Sequence, residues 1–229
     1  MRENVLIIIP AYNEEEAIVQ TVTALIHSCR YDYLVVNDGS TDRTEDLLRG
    51  HGFNYVSLPV NLGIGGAMQT GYKYAWRHGY DYAIQLDADG QHDPEDLETL
   101  VREIKETDAD MVIGSRFVEK TGYKGSLSRR FGIYYFYLML RLIAGIRVTD
   151  PTSGYRIVNR RVIEQFASNY PIDYPEVEVL VNLAHKKYKV KEVKVEMNAR
   201  QGGQSSITPV KSIYYMAKVT FFSIIRSVF

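Results

Sequence analysis

The chain opens on an unbroken apolar run, Val5-Leu6-Ile7-Ile8-Ile9, with no polar position to face water. A strand apolar on both of its alternating sides is buried on both faces, as at the centre of a parallel sheet. The period then changes: Ile18, Val22, Leu25 and Ile26 recur at helical spacing after Asn13, whose side chain suits an N-cap. Residues 33–36 read as a second strand, Ser40 or Thr41 as the start of a short helix through Leu47 and Leu48, and residues 55–58 as a third short strand. A helix from about Gly66 to Arg77 precedes a strand at 82–86. Next comes a helix through Leu97, Leu100, Val101 and Ile104, with Asp93 as N-cap, Pro94 at its first position and Glu95 and Asp96 at the positive end of its dipole. Residues 111–114 form another strand. Strands and helices in alternation predict a doubly wound α/β fold, a mostly parallel sheet flanked by helices, with ligands at the carboxyl ends of the strands.

Composition adds bounds. A chain of 229 residues holds one large domain, or a domain plus an appendage, with ample core. Cys29 is the one cysteine, so there is no disulfide framework and no cysteine-rich zinc site, which fits a reducing compartment. A strand beginning at Val5 leaves no room for a signal peptide before it. The formal charge of −1 hides a division: residues 1–119 carry 9 Lys/Arg and 21 Asp/Glu, residues 120–229 carry 18 and 7. An acidic half suits a divalent metal, and a basic half suits an anionic partner such as phosphate or an acidic membrane surface. Two solvated faces of opposite sign remain the plainer reading. Nucleic-acid binding would explain the basic half and leave the acidic one unexplained.

The chemistry concentrates at the strand ends. Asp87-Ala88-Asp89-Gly90-Gln91-His92 follows the strand at 82–86, and carboxylates two positions apart on an extended chain point to one side. Hard oxygens so placed suit Mg²⁺ or Mn²⁺, ions that keep open positions for phosphate oxygens. The competing reading is a solvated turn before a helix. The first strand ends in Pro10-Ala11-Tyr12-Asn13-Glu14-Glu15 and the second in Asn37-Asp38-Gly39-Ser40-Thr41-Asp42. Tyr12 can hold a base by its ring, and Asp38 can accept the N–H of uracil or guanine. Three such ends in order describe a nucleotide crevice better than three turns do. The glycines of Asn61-Leu62-Gly63-Ile64-Gly65-Gly66-Ala67 lack the spacing of a phosphate loop and read as close helix–sheet packing. His51, His78 and His185 read as surface residues, and no Ser-His-Asp or Cys-His nucleophile stands out.

With these motifs, and with Gly114-Ser115-Arg116-Phe117 after them, the sequence resembles the inverting glycosyltransferases of family 2, which have the GT-A (Rossmann-like) fold. Asp150-Pro151-Thr152-Ser153-Gly154-Tyr155-Arg156, Glu178 on a helix and Arg200-Gln201-Gly202-Gly203-Gln204-Ser205-Ser206 narrow the resemblance to the dolichyl-phosphate-mannose-synthase type, which charges polyprenyl phosphates. The likeness covers about residues 3–207. It implies a catalytic domain over 1–207, with a nucleotide-sugar half at 1–119 and an acceptor half at 120–207, and amphipathic helices toward the C-terminus. Pro10, Tyr12, Asn13, Glu14, Asp38, Asp87, Ala88 and Asp89 would surround a UDP- or GDP-hexose. Asp89 and Gln91 would ligate Mg²⁺ or Mn²⁺ directly, with Asp87 facing ribose and metal. Asp89 and Asp150 would be the catalytic carboxylates, and Ser205 would join the acceptor phosphate site. Two departures stand out: Asn37 where aspartate is common, and Ser206 where lysine is common.

Acceptor chemistry sharpens the expectation. A sugar hydroxyl needs a general base, whereas a phosphate monoester, with its second pKa near ~6, is largely dianionic at neutral pH and already nucleophilic. It needs cations beside the donor diphosphate, and Arg116, Arg129 or Arg130, and Arg200 are candidates. Asp150 would then be a base or an orienting carboxylate, or simply the start of a turn. Residues 128–146 place Arg130, Tyr134, Tyr137 and Arg141 on one helical stripe and Phe131, Tyr135, Leu138, Leu142 and Ile146 on another, which fits an in-plane interfacial helix or a core helix with exposed tyrosines. Thr208 and Pro209 open a further amphipathic helix over 208–229, with Lys211, Tyr215, Lys218, Phe222 and Arg226 on one stripe. The sequence thus predicts a hexosyltransferase acting on polyprenyl phosphate, peripheral at the cytoplasmic face of a membrane, with a small membrane protein as a candidate partner. Its rivals are a family 2 enzyme acting on a glycan hydroxyl and a nucleotide-sugar-binding subunit without turnover.

Overall fold

The computed structural model describes residues 4–88, 96–118, 127–172, 175–195 and 216–221, with the backbone alone at 127–130. Seven strands form one sheet in the order β3-β2-β1-β4-β6-β5-β7. The strands are β1 (Val5–Ala11), β2 (Asp32–Asn37), β3 (Tyr55–Ser57), β4 (Tyr82–Gln85), β5 (Met111–Ser115), β6 (Arg156–Asn159) and β7 (Val190–Lys194). The helices are α1 (Ile18–Ser28), α2 (Thr44–Gly50), α3 (Gly63–Arg77), α4 (Asp96–Glu106), α5 (Leu127–Met139), α6 (Arg160–Ser168) and α7 (Pro175–His185). This is the mostly parallel α/β sheet of a GT-A-like fold.

Every residue of β1 is buried. Its side chains divide by parity between two cores. Leu6 and Ile8 join Met68 and Tyr72 of α3 and Val162 and Phe166 of α6, while Val5, Ile7 and Ile9 join Val22 and Leu25 of α1 and Leu97 and Leu100 of α4. Helix α3 reaches the sheet through Gly71, where a Cβ would sit 2.3 Å from Ile8 Cγ2. Its start is held elsewhere. A Cβ on Gly65 would fall 2.1 Å from the Pro171 carbonyl oxygen, and the Gly65 N–H donates to the Ile172 carbonyl at 3.1 Å. The glycine-rich segment is therefore structural, with the 171–172 loop as one of its partners.

The one strand that breaks the parallel order positions the site. β6 runs antiparallel between β4 and β5, with Arg156 in register with both Gln85 and Ile113. Its N-terminal end thus lies at the carboxyl ends of its neighbours. The segment that leads into it, residues 150–155, is delivered beside Asp87 and Arg116.

Helix α5 continues as a π turn, Leu140–Ala144, which Gly145 ends in the left-handed conformation. Ile133, Phe136, Met139 and Leu140 face the core, whereas Phe131, Tyr134, Leu138 and Leu142 are exposed. The helix is thus a core helix whose outer face carries exposed aromatic and aliphatic side chains. Residues 216–221 form a helical turn docked on it: Val219 is buried in the same core and Tyr135 Oη lies 2.7 Å from Thr220 Oγ1. No described helix is long and apolar enough to cross a membrane.

Candidate active site

The loops after β1 and β2 are laced together through short polar side chains. Asn13 adopts a left-handed backbone (φ 54°), which asparagine tolerates better than most residues. Its Oδ1 accepts the Thr41 N–H at 2.8 Å, and its own N–H donates to Ser40 Oγ at 3.0 Å. The Glu14 and Glu15 amides donate to Thr44 Oγ1 and Asp42 Oδ2. The expectation that Asn13 caps α1 is therefore corrected. That helix begins at Ile18 with no side-chain cap, because the Asn13 side chain is engaged by the neighbouring loop. The short helix α2 likewise starts at Thr44 rather than at Ser40 or Thr41, whose polar groups serve this junction.

Asp38 is buried at the end of β2, and its Oδ1 accepts the Leu62 N–H at 2.7 Å. Burial pushes its carboxyl up, while the Leu62 and Gly63 amides pull it back. Beside it, Asn37 donates from Nδ2 to Ser57 Oγ and accepts the Ser40 N–H on Oδ1. An amide does both at once, so asparagine at this position ties β2 to β3 and to the turn. Tyr12 is exposed at the rim, and Pro10 lies past the last β1–β4 partner pair, Ile8 with Gln85. Pro10, Tyr12, Asn13 and Glu14 on one strand end and Asp38 on the next thus line neighbouring parts of one crevice edge.

At the end of β4 the Asp87 carboxylate lies over the backbone of Gly154, where a Cβ would stand 3.0 Å from Asp87 Oδ2 and 2.9 Å from Gln85 Nε2. Only a glycine leaves that carboxylate its place. Buried Ala88 follows, its carbonyl accepting from Thr21 Oγ1. Asp89 and Gln91 lie outside the described residues, as do Arg200 and Ser205 and the side chains of Arg129 and Arg130. Among the described residues no three His, Cys, Asp or Glu side chains converge as a metal site. Asp87 alone of the three expected ligands is described, a hard oxygen at the strand end where such an ion would be held.

The end of the site past β5 is built around a buried ion pair. Arg116, just past β5, forks onto Asp150: Nε donates to Oδ2 and Nη2 to Oδ1, each at 2.6 Å. The Arg116 N–H also donates to Oδ2, and Nη2 reaches Thr152 Oγ1. The Asp150 side chain is 0% exposed and that of Arg116 7%. Two expected site residues are thus brought together, and each is the other's partner.

Several residues supporting this pair carried no role in the sequence reading. Arg156 is buried and donates to three backbone carbonyls, those of Pro151, Ser153 and Glu176, fastening the turn after Asp150 to the start of α7. Ser153 Oγ donates to the Gly114 carbonyl at 2.7 Å, closing the turn onto β5. Glu192 of β7 accepts from residues 149 and 150. An arginine inside the Asp150 motif was a visible signal; an acid within a short, charged edge strand was not. Glu176 lies within electrostatic reach of Arg156 and Asp87, and burial pushes its carboxyl up. Next to Arg116 and Asp150, Phe117, Thr149, Ile133, Tyr134 and Tyr137 line an apolar cleft of about 280 Å³.

Comparison with known proteins agrees with this architecture. The family model for glycosyl transferase family 2 matches residues 6–166. The chain is 33% identical over 179 residues to polyprenol monophosphomannose synthase of Mycolicibacterium smegmatis, covering 71% of this chain and 64% of that protein. It is 30% identical over 178 residues to UDP-N-acetylglucosamine–dolichyl-phosphate N-acetylglucosaminyltransferase of Methanococcus voltae, covering 70% of this chain and 71% of that one. Glucosyl-3-phosphoglycerate synthase of Mycobacterium tuberculosis, crystallised with Mn²⁺, UDP and phosphoglyceric acid, shares the fold. Its TM-score is 0.73 at 19% identity, over 99% of this chain and 78% of that one. A seven-stranded sheet with one reversed strand, polar strand ends on one edge and a family match over most of its length identify the chain as a glycosyltransferase that belongs to glycosyl transferase family 2.

Proposed function

We propose that this enzyme transfers a hexose from a UDP- or GDP-sugar to a polyprenyl phosphate with inversion at the anomeric carbon. The observation that carries the proposal is the state of Asp150. Its carboxylate is out of contact with solvent, and both oxygens accept from Arg116. Such a group orients a guanidinium; it is poorly suited to take a proton from an incoming hydroxyl, which must lie within hydrogen-bond reach of a free lone pair. An ionised phosphate nucleophile requires no such base. It requires positive charge held rigidly, and Arg116, with Arg129 or Arg130, Arg200 and Ser205, supplies the donors.

The relatives named for polyprenyl and dolichyl phosphate acceptors support this choice. So does the apolar cleft beside the fork, whose aromatic walls suit the first isoprene units of such a lipid. On the donor side, Tyr12 and Asp38 hold the base, and Asp87 faces the ribose. Asp89 and Gln91, with Asp87, would hold Mg²⁺ or Mn²⁺, the ions present in crystals of structures with this fold. When bound, such an ion neutralises charge on the leaving diphosphate. Residues 1–207 act as the catalytic unit, and 208–229 with the outer face of α5 hold it peripherally at the cytoplasmic face of a membrane, where a small membrane protein can join it.

Incubation with polyprenyl phosphate and a panel of nucleotide sugars, with the products weighed by mass spectrometry, tests this. A hexosyl-phosphoryl-polyprenol is expected. A product formed equally well on a free sugar or glycan would overturn the acceptor assignment in favour of a hydroxyl nucleophile.

A further inference from the structure

Glu192 has no counterpart among the motifs, yet its carboxylate is the end point of the hydrogen bonds that hold the Arg116–Asp150 fork. Oε1 accepts the Asp150 N–H and the Thr149 hydroxyl, each at 2.9 Å, and Oε2 accepts the Thr149 N–H at 2.7 Å. Residues 145–155 belong to no strand, so no sheet ladder fixes these amides. Glu192 itself is fixed, because β7 pairs in parallel with β5 and sets Glu192 level with Ile113.

The polarity of the network is determined by chemistry. A carboxylate only accepts, so the Thr149 hydroxyl must donate to Glu192. Thr149 Oγ1 then accepts from Ser115 Oγ, 3.1 Å away, and Ser115 Oγ in turn accepts the Phe117 N–H at 3.3 Å. One direction of donation runs from Phe117 through Ser115 and Thr149 to Glu192. It ties down both chain neighbours of Arg116, while the Asp150 N–H is held by the same oxygen. We infer that Glu192 is a positioning residue that sets Asp150 and Arg116 in register at the acceptor end of the site.

This inference rests on the reading of that end as the acceptor site. A glutamine at 192 keeps the shape but turns one acceptor into an NH₂ group facing donors, so it breaks the network without leaving a hole. Misplacing reacting groups by about 1 Å costs on the order of 100-fold in rate. The test uses the full chain, polyprenyl phosphate and the nucleotide sugar it accepts. E192Q should lower kcat/KM for the lipid phosphate by tenfold or more, on the order expected for such a displacement. KM for the nucleotide sugar should stay close to wild type. In a D150N background, E192Q should cost little further, because the group it positions is already altered. Unchanged acceptor kinetics in E192Q would overturn the inference, as would an equal loss toward donor and acceptor. If wild type makes no polyprenyl-linked product, the functional reading fails by itself. Glu192 is then judged by a denaturation cycle of E192Q against D150N, in which additive effects overturn its coupling to Asp150 and non-additive ones support it.

Discussion

Arg116 and Asp150 hold each other in a place where neither is affordable alone. Removing one partner of a buried ion pair leaves an uncompensated charge and costs about 3–5 kcal/mol. Arg116→Ala should therefore destabilise the fold by that order as well as abolish transfer, whereas adding Asp150→Asn should recover much of the stability and none of the activity. Urea denaturation of the two variants, beside assays on the same preparations, checks this; a fully stable Arg116→Ala would mean that Asp150 is not buried as a charge. Glu176 makes a different residue-scale prediction. Burial raises its carboxyl above the ordinary glutamate value, with the Arg156 charge opposing and Asp87 adding to the rise. The folded chain thus holds this proton to higher pH than the unfolded chain does. Its favourable contribution is complete below the unfolded value and is lost as pH rises through the folded one. Glu176→Gln should match wild type in stability near about pH 4 and exceed it near about pH 8, as read from urea midpoints. An advantage confined to acid would contradict the assigned direction.

At the scale of elements, glycines mark where backbones meet, and they separate packing from chemistry. Gly71→Ala drives a methyl into Ile8 at the centre of the sheet, an overpacking that costs about 1–3 kcal/mol, with activity retained in the folded fraction. Gly154→Ala instead drives a methyl toward Asp87 and Gln85, so it should reduce turnover far more than it lowers Tm. Equal losses of both in the two variants would show that the 150–155 turn is simply core. Much of this layer was legible beforehand. The apolar run at Val5–Ile9 pointed to a doubly covered central strand because both parities had to be buried, and the polar strand ends followed from the parallel order. The reversal of β6 was not legible: four residues, Arg156–Asn159, carry no mark of the direction they run, and only the neighbouring strands decide it. Asn13 misled because an asparagine before a helical stripe looks like a cap, while the partner it takes, Thr41, is remote in sequence. Glu192 was silent for the same reason. Its value lies in a turn about forty residues earlier that sheet pairing brings alongside.

At the scale of the whole molecule, the proposed lipid acceptor raises the question of how a chain with no described helix able to span a bilayer would reach it. Helix α5 gives an answer. Its inner residues are bound into the core, so it is rigidly placed, while Phe131 is 65% and Leu142 81% exposed, with Tyr134 and Leu138 between them on the same outer side. Arg141 is exposed beside them. Tyr134 stacks on Tyr137, which also lines the cleft beside Arg116 and Asp150, so the apolar face runs on into the proposed acceptor end of the site. Each large apolar side chain moved fully out of water contributes about 1.5–3 kcal/mol, and each cation near anionic lipid about 1 kcal/mol. Four such side chains suffice for reversible attachment without anchoring the protein permanently. The F131S/L142S double variant should leave Tm unchanged, because both residues are exposed in the folded chain, and should abolish co-sedimentation with anionic vesicles. Turnover on a short, water-soluble polyprenyl phosphate should survive in it, while turnover on a long lipid embedded in vesicles should fall steeply. High salt should weaken wild-type binding only in part, since screening reaches the cations and not the buried rings. If the double variant still pelleted with vesicles, or if it lost both activities alike, the outer face of α5 would not be the surface that meets the membrane.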